Sequence, residues 1–430
     1  MSTQDFAIRG HICHTPSPDK IEIHEDAYAV CVNGRCAGIF TQLPERFQKL
    51  RVIDVSQKLV IPGMIDLHTH APQYAFMGTG MDAELLDWLE NTTFPEEIRY
   101  SDIEYARKAY EIFACCMQNS ATTRALIFGT IHTDATLLLM DLMEETGIIS
   151  LTGKVNMDRD APPELTEKDA AASADETRRF IEAAAKRGYR RTKPILTPRF
   201  IPCCTEELLC FLDEIRQEYD LPVQSHLSEN PGEIELVEKL VPEAEFYGDA
   251  YDRHNLFGRQ AKTVMAHCVF STKAEVERIR DNGVWVAHCP ASNINLASGI
   301  APIRRYLEMG LRVGLGTDVA AGTSESMFRE VIDAIQVSKL YWRYIDHECK
   351  ALTFPECFYL ATKGGGSFFG KVGSFEEGYE FDALVLDDLR LPVPRSVPTA
   401  ERLERAFYTG QDRGGIVRKF VAGREIDLIG

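Results

Sequence analysis

The chain has 430 residues, 45% hydrophobic and 26% charged, with Gly 30 and Pro 20. That composition excludes a disordered or fibrous protein and, at roughly 150 residues per domain, allows one large domain or two to three small ones. Lys and Arg total 47 against 65 Asp and Glu, a net charge of -18, which sets aside nucleic acid and anionic membrane as main partners and suits a small neutral substrate.

The 12 cysteines include two adjacent pairs, Cys115-Cys116 and Cys203-Cys204, and no C-x-x-C. They spell neither a disulfide framework nor a zinc ribbon, and they favour a reducing compartment. Residues 1–20 lack the apolar run of a signal peptide, and no apolar run approaches the ~18 residues of a membrane span. A cytoplasmic location is expected.

In chain order, residues 1–60 hold short β-like pieces such as Tyr28–Val32 and Arg51–Val55. Eight β-rich runs follow, at Leu59–Asp66, Thr122–Ile131, Ile148–Asn156, Pro194–Phe200, Pro222–His226, Thr263–His267, Val284–His288 and Val313–Asp318. Most are near-continuously apolar, as strands buried on both faces should be. Amphipathic stretches lie between them, among them Thr205–Glu218, with Leu208, Leu209, Leu212 and Ile215 at helical spacing, and Ala274–Asn282. The alternation predicts an α/β fold, a (β/α)8 TIM-like barrel over residues 62–375, with an open doubly wound sheet as the alternative. Strands return at Ala383–Leu386 and Ile416–Ala422. Residues 1–61 and 376–430 are therefore expected to pair into one small β domain, discontinuous in sequence.

Only 11 histidines occur, so their placement is informative. His68 and His70 are two apart at the end of the first barrel run, where both side chains point to one face. His226, His267 and Asp318 end the fifth, sixth and eighth runs, all at the C-terminal face where barrel enzymes place their sites. Three His and a carboxylate suit Zn²⁺ or Fe²⁺. Glu229, three residues past His226, reads either as a proton shuttle or as a helix-start carboxylate facing the macrodipole. Arg199-Phe200 stands where a bridging lysine would sit, and Lys193 is at the wrong strand end, so one metal ion is expected rather than two. Arg199 only donates hydrogen bonds: buried it needs an acceptor, and the alternative is a surface ion pair. Phe200 reads as either a pocket wall or core.

Other features point to structure. Gly364-Gly365-Gly366 lacks phosphate-loop spacing and reads as a helix–loop junction. His132 and His288 read as structural. His11, His14, His24, His254 and His347 read as surface residues. Asp66 and Asp134 read as caps or as orienters of site residues. The deaminase class built on H-x-E and P-C-x-x-C is excluded, because no His begins H-x-E and Pro202-Cys203 is followed by Glu206 where the second Cys belongs.

Pro62-Gly63-Met64-Ile65-Asp66-Leu67-His68-Thr69-His70, with His226, His267 and Gly316-Thr317-Asp318 in that order, resembles the amidohydrolase superfamily. Further stretches resemble its guanine deaminase family: His70-Ala71-Pro72-Gln73-Tyr74, Leu86-Asp87-Trp88-Leu89-Glu90 with Thr93-Phe94-Pro95, Thr197-Pro198-Arg199-Phe200, Gln224-Ser225-His226-Leu227-Ser228-Glu229-Asn230 and Ala287-His288-Cys289-Pro290. Thr92 departs from the pattern where an aromatic residue is expected, and Asn293 keeps to it.

The resemblance implies a distorted barrel with a small β-sandwich and a homodimer. It also implies deamination of guanine to xanthine, one Zn²⁺ (Fe²⁺ being the alternative) held by His68, His70, His226 and Asp318, and a purine held by Gln73, Arg199 and Phe200. Glu229 would move protons, His267 would contact the attacking water, and Asp318 would accept a proton from it. Related hydrolases of cytosine, 8-oxoguanine, triazines or adenosine derivatives share the metal set, so the Gln73 and Arg199-Phe200 pocket must separate them.

Overall fold

The computed structural model describes residues 5–390 and 392–429. Strands from both chain ends interleave in one seven-stranded sheet. They are β1 (Phe6–Ser17), β2 (Lys20–Val32), β3 (Arg35–Phe40) and β4 (Arg51–Pro62) from the start of the chain, and β15 (Ala383–Leu386), β16 (Ile416–Val421) and β17 (Arg424–Ile426) from its end. Their order is β17-β16-β15-β4-β1-β2-β3. Alternation along β4 and β15 decides which core each residue joins. Val60, Ala383 and Val385 pack with Phe6, Phe381 and Phe420, while Leu59, Ile61, Leu384 and Leu386 turn to the large core under the barrel helices.

Between these ends the parallel strands β5 (Met64–His70), β6 (Thr122–Phe128), β7 (Ile149–Gly153) and β9 (Thr192–Pro194) form one arc. The strands β11 (Val223–Leu227), β12 (Thr263–His267), β13 (Trp285–His288) and β14 (Arg312–Leu315) form the other. The short pieces β8 (Val155–Asn156) and β10 (Thr197–Pro198) pair with each other. Leu196 N–H donating to Pro222 O (3.0 Å) and Gln224 N–H donating to Leu196 O (2.9 Å) join the arcs on one side. On the other side, Asp318 N–H donates to His68 O (2.8 Å) and His70 N–H to Val319 O (3.1 Å). Every residue of β5, β6, β12 and β13 is buried, as expected of a parallel sheet covered by helices.

Several expected strands divide. Leu59–Asp66 is two strands: β4 belongs to the outer sheet, and the barrel begins only after Gly63, where a Cβ would lie 2.2 Å from Thr123 Oγ1. Ile148–Asn156 breaks at Gly153, against which Thr197 packs too closely for any side chain. Pro194–Phe200 breaks into β9 and β10, and the eighth strand stops at Leu315, short of Asp318. The helix expected over 205–218 spans Glu206–Tyr219, with Thr205 Oγ1 accepting from Leu208 N–H and Leu208, Leu209, Leu212 and Ile215 buried. Arg124 on β6 reaches the outer sheet, its Nε donating to buried Asp382 Oδ2 at 2.7 Å. Among the described residues, no helix is long and apolar enough to cross a membrane.

Candidate active site

At the C-terminal ends of the barrel strands, His68 and His70 project from β5 and His226 from β11. Their donor atoms and a carboxylate oxygen of Asp318 all lie within 4.8 Å of one another. His70 Nε2 is 3.2 Å from both His68 Nε2 and His226 Nε2, and Asp318 Oδ1 is 3.1 Å from His68 Nε2 and 3.3 Å from His70 Nε2. A tetrahedron with bonds of zinc–nitrogen length has edges of about 3.3–3.4 Å. Burial pushes His68 down to about 4 and His226 well below the usual imidazole range, so both rings offer lone pairs at neutral pH. His226 Nδ1 donates to Arg199 O at 2.6 Å, which leaves Nε2 free to ligate. The donor set and its spacing fit one divalent metal ion.

Asp318 does not end a strand. It sits in the loop after β14 at φ 46, a left-handed conformation unfavourable for a non-glycine residue. Asp66 holds that loop in place: its Oδ1 accepts from Thr317 N–H (3.0 Å) and His68 N–H (3.2 Å), and its Oδ2 accepts from Thr317 Oγ1 (2.6 Å). Gly316 makes the approach possible, since a Cβ there would lie 2.8 Å from His68 Cβ. Burial would raise the Asp318 carboxyl, but His68 and His70 beside it outweigh burial and hold it well below the carboxylate range. The orienting role expected of Asp66 is thus realised. Asp134 is instead exposed, bonded to Arg179 on the outer surface.

His267 ends β12, also in a left-handed conformation at φ 72. Its Nδ1 is 2.9 Å from Asn293 Oδ1 and donates to it. Nε2 is left without a hydrogen-bond partner, 3.3 Å from Glu229 Oε2 and 3.9 Å from Asp318 Oδ2. Glu229 does not start a helix: Asn230 caps Pro231–Leu240, and Glu229 points back toward the histidines. It is 2% exposed, and Ser298 Oγ donates to its Oε1 at 3.1 Å. Burial, reinforced by the Asp318 charge, pushes Glu229 well above the usual carboxylate range. A carboxyl that can hold a proton at neutral pH is suited to acid–base work.

His70, His226, Glu229, His267 and Asp318 line one cavity together with Gln73, Arg199, Phe200, Leu85, Trp88, Leu89 and Leu296. A mostly apolar wall with a few convergent polar groups suits a small molecule. Arg199 is 3% exposed, not on the surface, and its acceptor is Glu97, which the sequence reading missed. The guanidinium binds Glu97 at both oxygens (2.6 and 3.2 Å). Gln73 Nε2 donates to Glu97 Oε1 at 3.0 Å, and Gln73 Oε1 accepts from Ala320 N–H at 3.2 Å. Glu97 thus holds the two polar residues of the pocket wall in one network. It comes from the helical segment 85–101, whose Leu85, Trp88 and Leu89 supply the apolar wall. Phe200 lines the same cavity. His132 and His288 stand outside it: His132 precedes the helix Thr133–Thr146, and His288 is buried in β13. Of the histidines expected on the surface, only His347 is exposed: His14 is buried at 2% exposure, and His11, His24 and His254 are half-buried, with His254 Nδ1 3.4 Å from Cys210 Sγ.

The description "Amidohydrolase family" matches residues 59–426. Over 365 residues the chain is 40% identical to guanine deaminase from Mus musculus, covering 84% of this chain and 78% of the mouse protein. Guanine deaminase from C. acetobutylicum, solved with guanine bound in its active site, superposes with TM-score 0.95 at 44% identity, covering 99% of this chain and 100% of that one. Guanine deaminase from E. coli superposes with TM-score 0.87 at 31% identity, covering 98% and 99%.

Proposed function

The chain belongs to the amidohydrolase family and, within it, to the guanine deaminases; from that premise we propose how its own residues convert guanine and water to xanthine and ammonia. The observation that carries the reading is one cavity lined by His70, His226 and Asp318 of the ligating cluster, by the raised Glu229 carboxyl, and by Gln73 and Arg199, which Glu97 holds from behind. The four ligating residues would hold one Zn²⁺, and Fe²⁺ suits the same set. Such an ion supplies Lewis acidity and lowers the pKa of water toward neutrality.

Protonated Glu229 gives its proton to purine N3, which makes C2 electrophilic. Water adds to C2 and Asp318 accepts its proton. His267, whose Nδ1 is bonded to Asn293 Oδ1, turns Nε2 into the site and orients the attacking oxygen. Glu229, now a carboxylate, carries the C2 hydroxyl proton to the amine, the C2–N bond breaks, ammonia leaves with C2 a carbonyl, and the proton held by Asp318 returns to Glu229. Phe200 packs on the flat ring, and Gln73 and Arg199 hold its polar edge.

Arg199 keeps N–H groups beyond the two committed to Glu97, and they can reach an acceptor such as O6 or N7. Adenine carries an amino group at C6 and would set donor against donor. A site built around such a bond rejects the wrong analogue by ~10⁴-fold. Adenine has no amine at C2 to lose, so the contact is read from binding: the wild-type enzyme is expected to bind adenine as an inhibitor far more weakly than it binds guanine. Glu97→Gln leaves a buried guanidinium without its counter-charge, so it is expected to cost about 3–5 kcal/mol of stability and to raise KM for guanine. Thermal unfolding and steady-state kinetics measure both, and competitive inhibition by adenine at concentrations near the KM for guanine would refute the pocket assignment.

Residues 62–375 form the catalytic unit in this reading, with 1–61 and 376–430 as the small domain. The end of β4 at Pro62 and the entry of β15 at Ala383 support that division. A cytoplasmic homodimer belongs to the same reading and is supported by the family resemblance.

A further inference from the structure

A second cluster of ligating side chains lies in the outer sheet, away from the cavity. β1 and β2 pair so that His14 stands opposite Glu22 and Ile12 opposite His24. Glu22 and His24 are two apart on one strand and share a face. His14 Nε2 lies 3.5 Å from Glu22 Oε2, and His24 Nε2 lies 3.7 Å from the same oxygen. The three donor atoms are all within 4.8 Å of one another.

Both Nε2 atoms are shielded from solvent and have no hydrogen-bond partner, although the side chains of His24 and Glu22 are 36% and 31% exposed. The tautomer of His14 follows from its other nitrogen. Ser374 Oγ donates its one proton to Glu376 Oε2 at 2.8 Å, so it accepts from His14 Nδ1 at 3.1 Å. His14 Nε2 therefore turns a lone pair toward the Glu22 carboxylate. A shielded imidazole lone pair facing a carboxylate oxygen is unfavourable unless a cation sits between them. A ring N–H bonded to a hydroxyl that is itself bonded to a carboxylate is how ligating histidines are oriented. Lys20 Nζ takes the other oxygen, Glu22 Oε1, at 2.6 Å and leaves Oε2 free. Two imidazoles and a carboxylate make a donor set suited to Zn²⁺, with a fourth position for water on the half-exposed side.

We propose that His14, Glu22 and His24 form a second site for a divalent transition-metal ion of the Zn²⁺ type, which ties the β1–β2 hairpin to the Ser374-Phe375-Glu376 turn. The test uses the full chain loaded with Zn²⁺, desalted and analysed for metal, beside His24→Gln and Glu22→Gln. The wild type is expected to retain one more Zn²⁺ per chain than either variant, with guanine turnover the same in all three as the control for folding and for the catalytic metal. Added Zn²⁺ is expected to raise Tm further in the wild type and not in the variants. Equal zinc content in wild type and both variants, or a Tm response the variants share, would overturn the proposal.

Discussion

Glu229→Gln is expected to keep its metal and lose turnover by about 10³-fold, within the range that a positioned acid–base group contributes. The amide matches the carboxyl in shape and can still accept from Ser298 Oγ, so the pocket should stay intact. It cannot shuttle a proton between N3 and the leaving amine. Glu229 is no ligand, since it faces His267 at 3.3 Å and lies outside the metal-holding cluster. Elemental analysis beside kcat separates the two properties. An unchanged kcat would remove Glu229 from the proton path.

Asp318→Ala is expected to lose metal and activity together. It removes the only carboxylate of the cluster and leaves three imidazoles, of which His68 and His70 pack against Oδ1 at 3.1 and 3.3 Å. Loss of a ligand should exceed the 10–100-fold effect on metal affinity typical of residues that merely orient one. Asp318 is also the proposed proton acceptor, so added Zn²⁺ should restore little turnover. Full metal occupancy in the variant would count against its ligand role.

Much of this site could be read from spacing, because strands present alternate residues to one face and barrels gather strand ends. His68, His70, His226 and His267 follow from those two rules. Asp318 is less regular: the strand ends at Leu315, and a left-handed residue held by Asp66 and Thr317 brings the carboxylate in. Glu97 was not legible, since it meets Arg199 across 102 positions. The available signal was that a buried arginine must have an acceptor. His14 likewise meets Ser374, 360 positions away, and local sequence carries no trace of such a pairing. In the fold, the alternation of strand and helix predicted the barrel. The breaks at Gly63 and Gly153 depend instead on how closely Thr123 and Thr197 approach.

The most direct test of the central claim follows guanine absorbance in the presence of purified enzyme, with xanthine and ammonia identified as products, before and after chelation and after Zn²⁺ is restored. The account predicts stoichiometric conversion that stops on chelation and returns with the metal. Fully metallated protein that leaves guanine unchanged would contradict it.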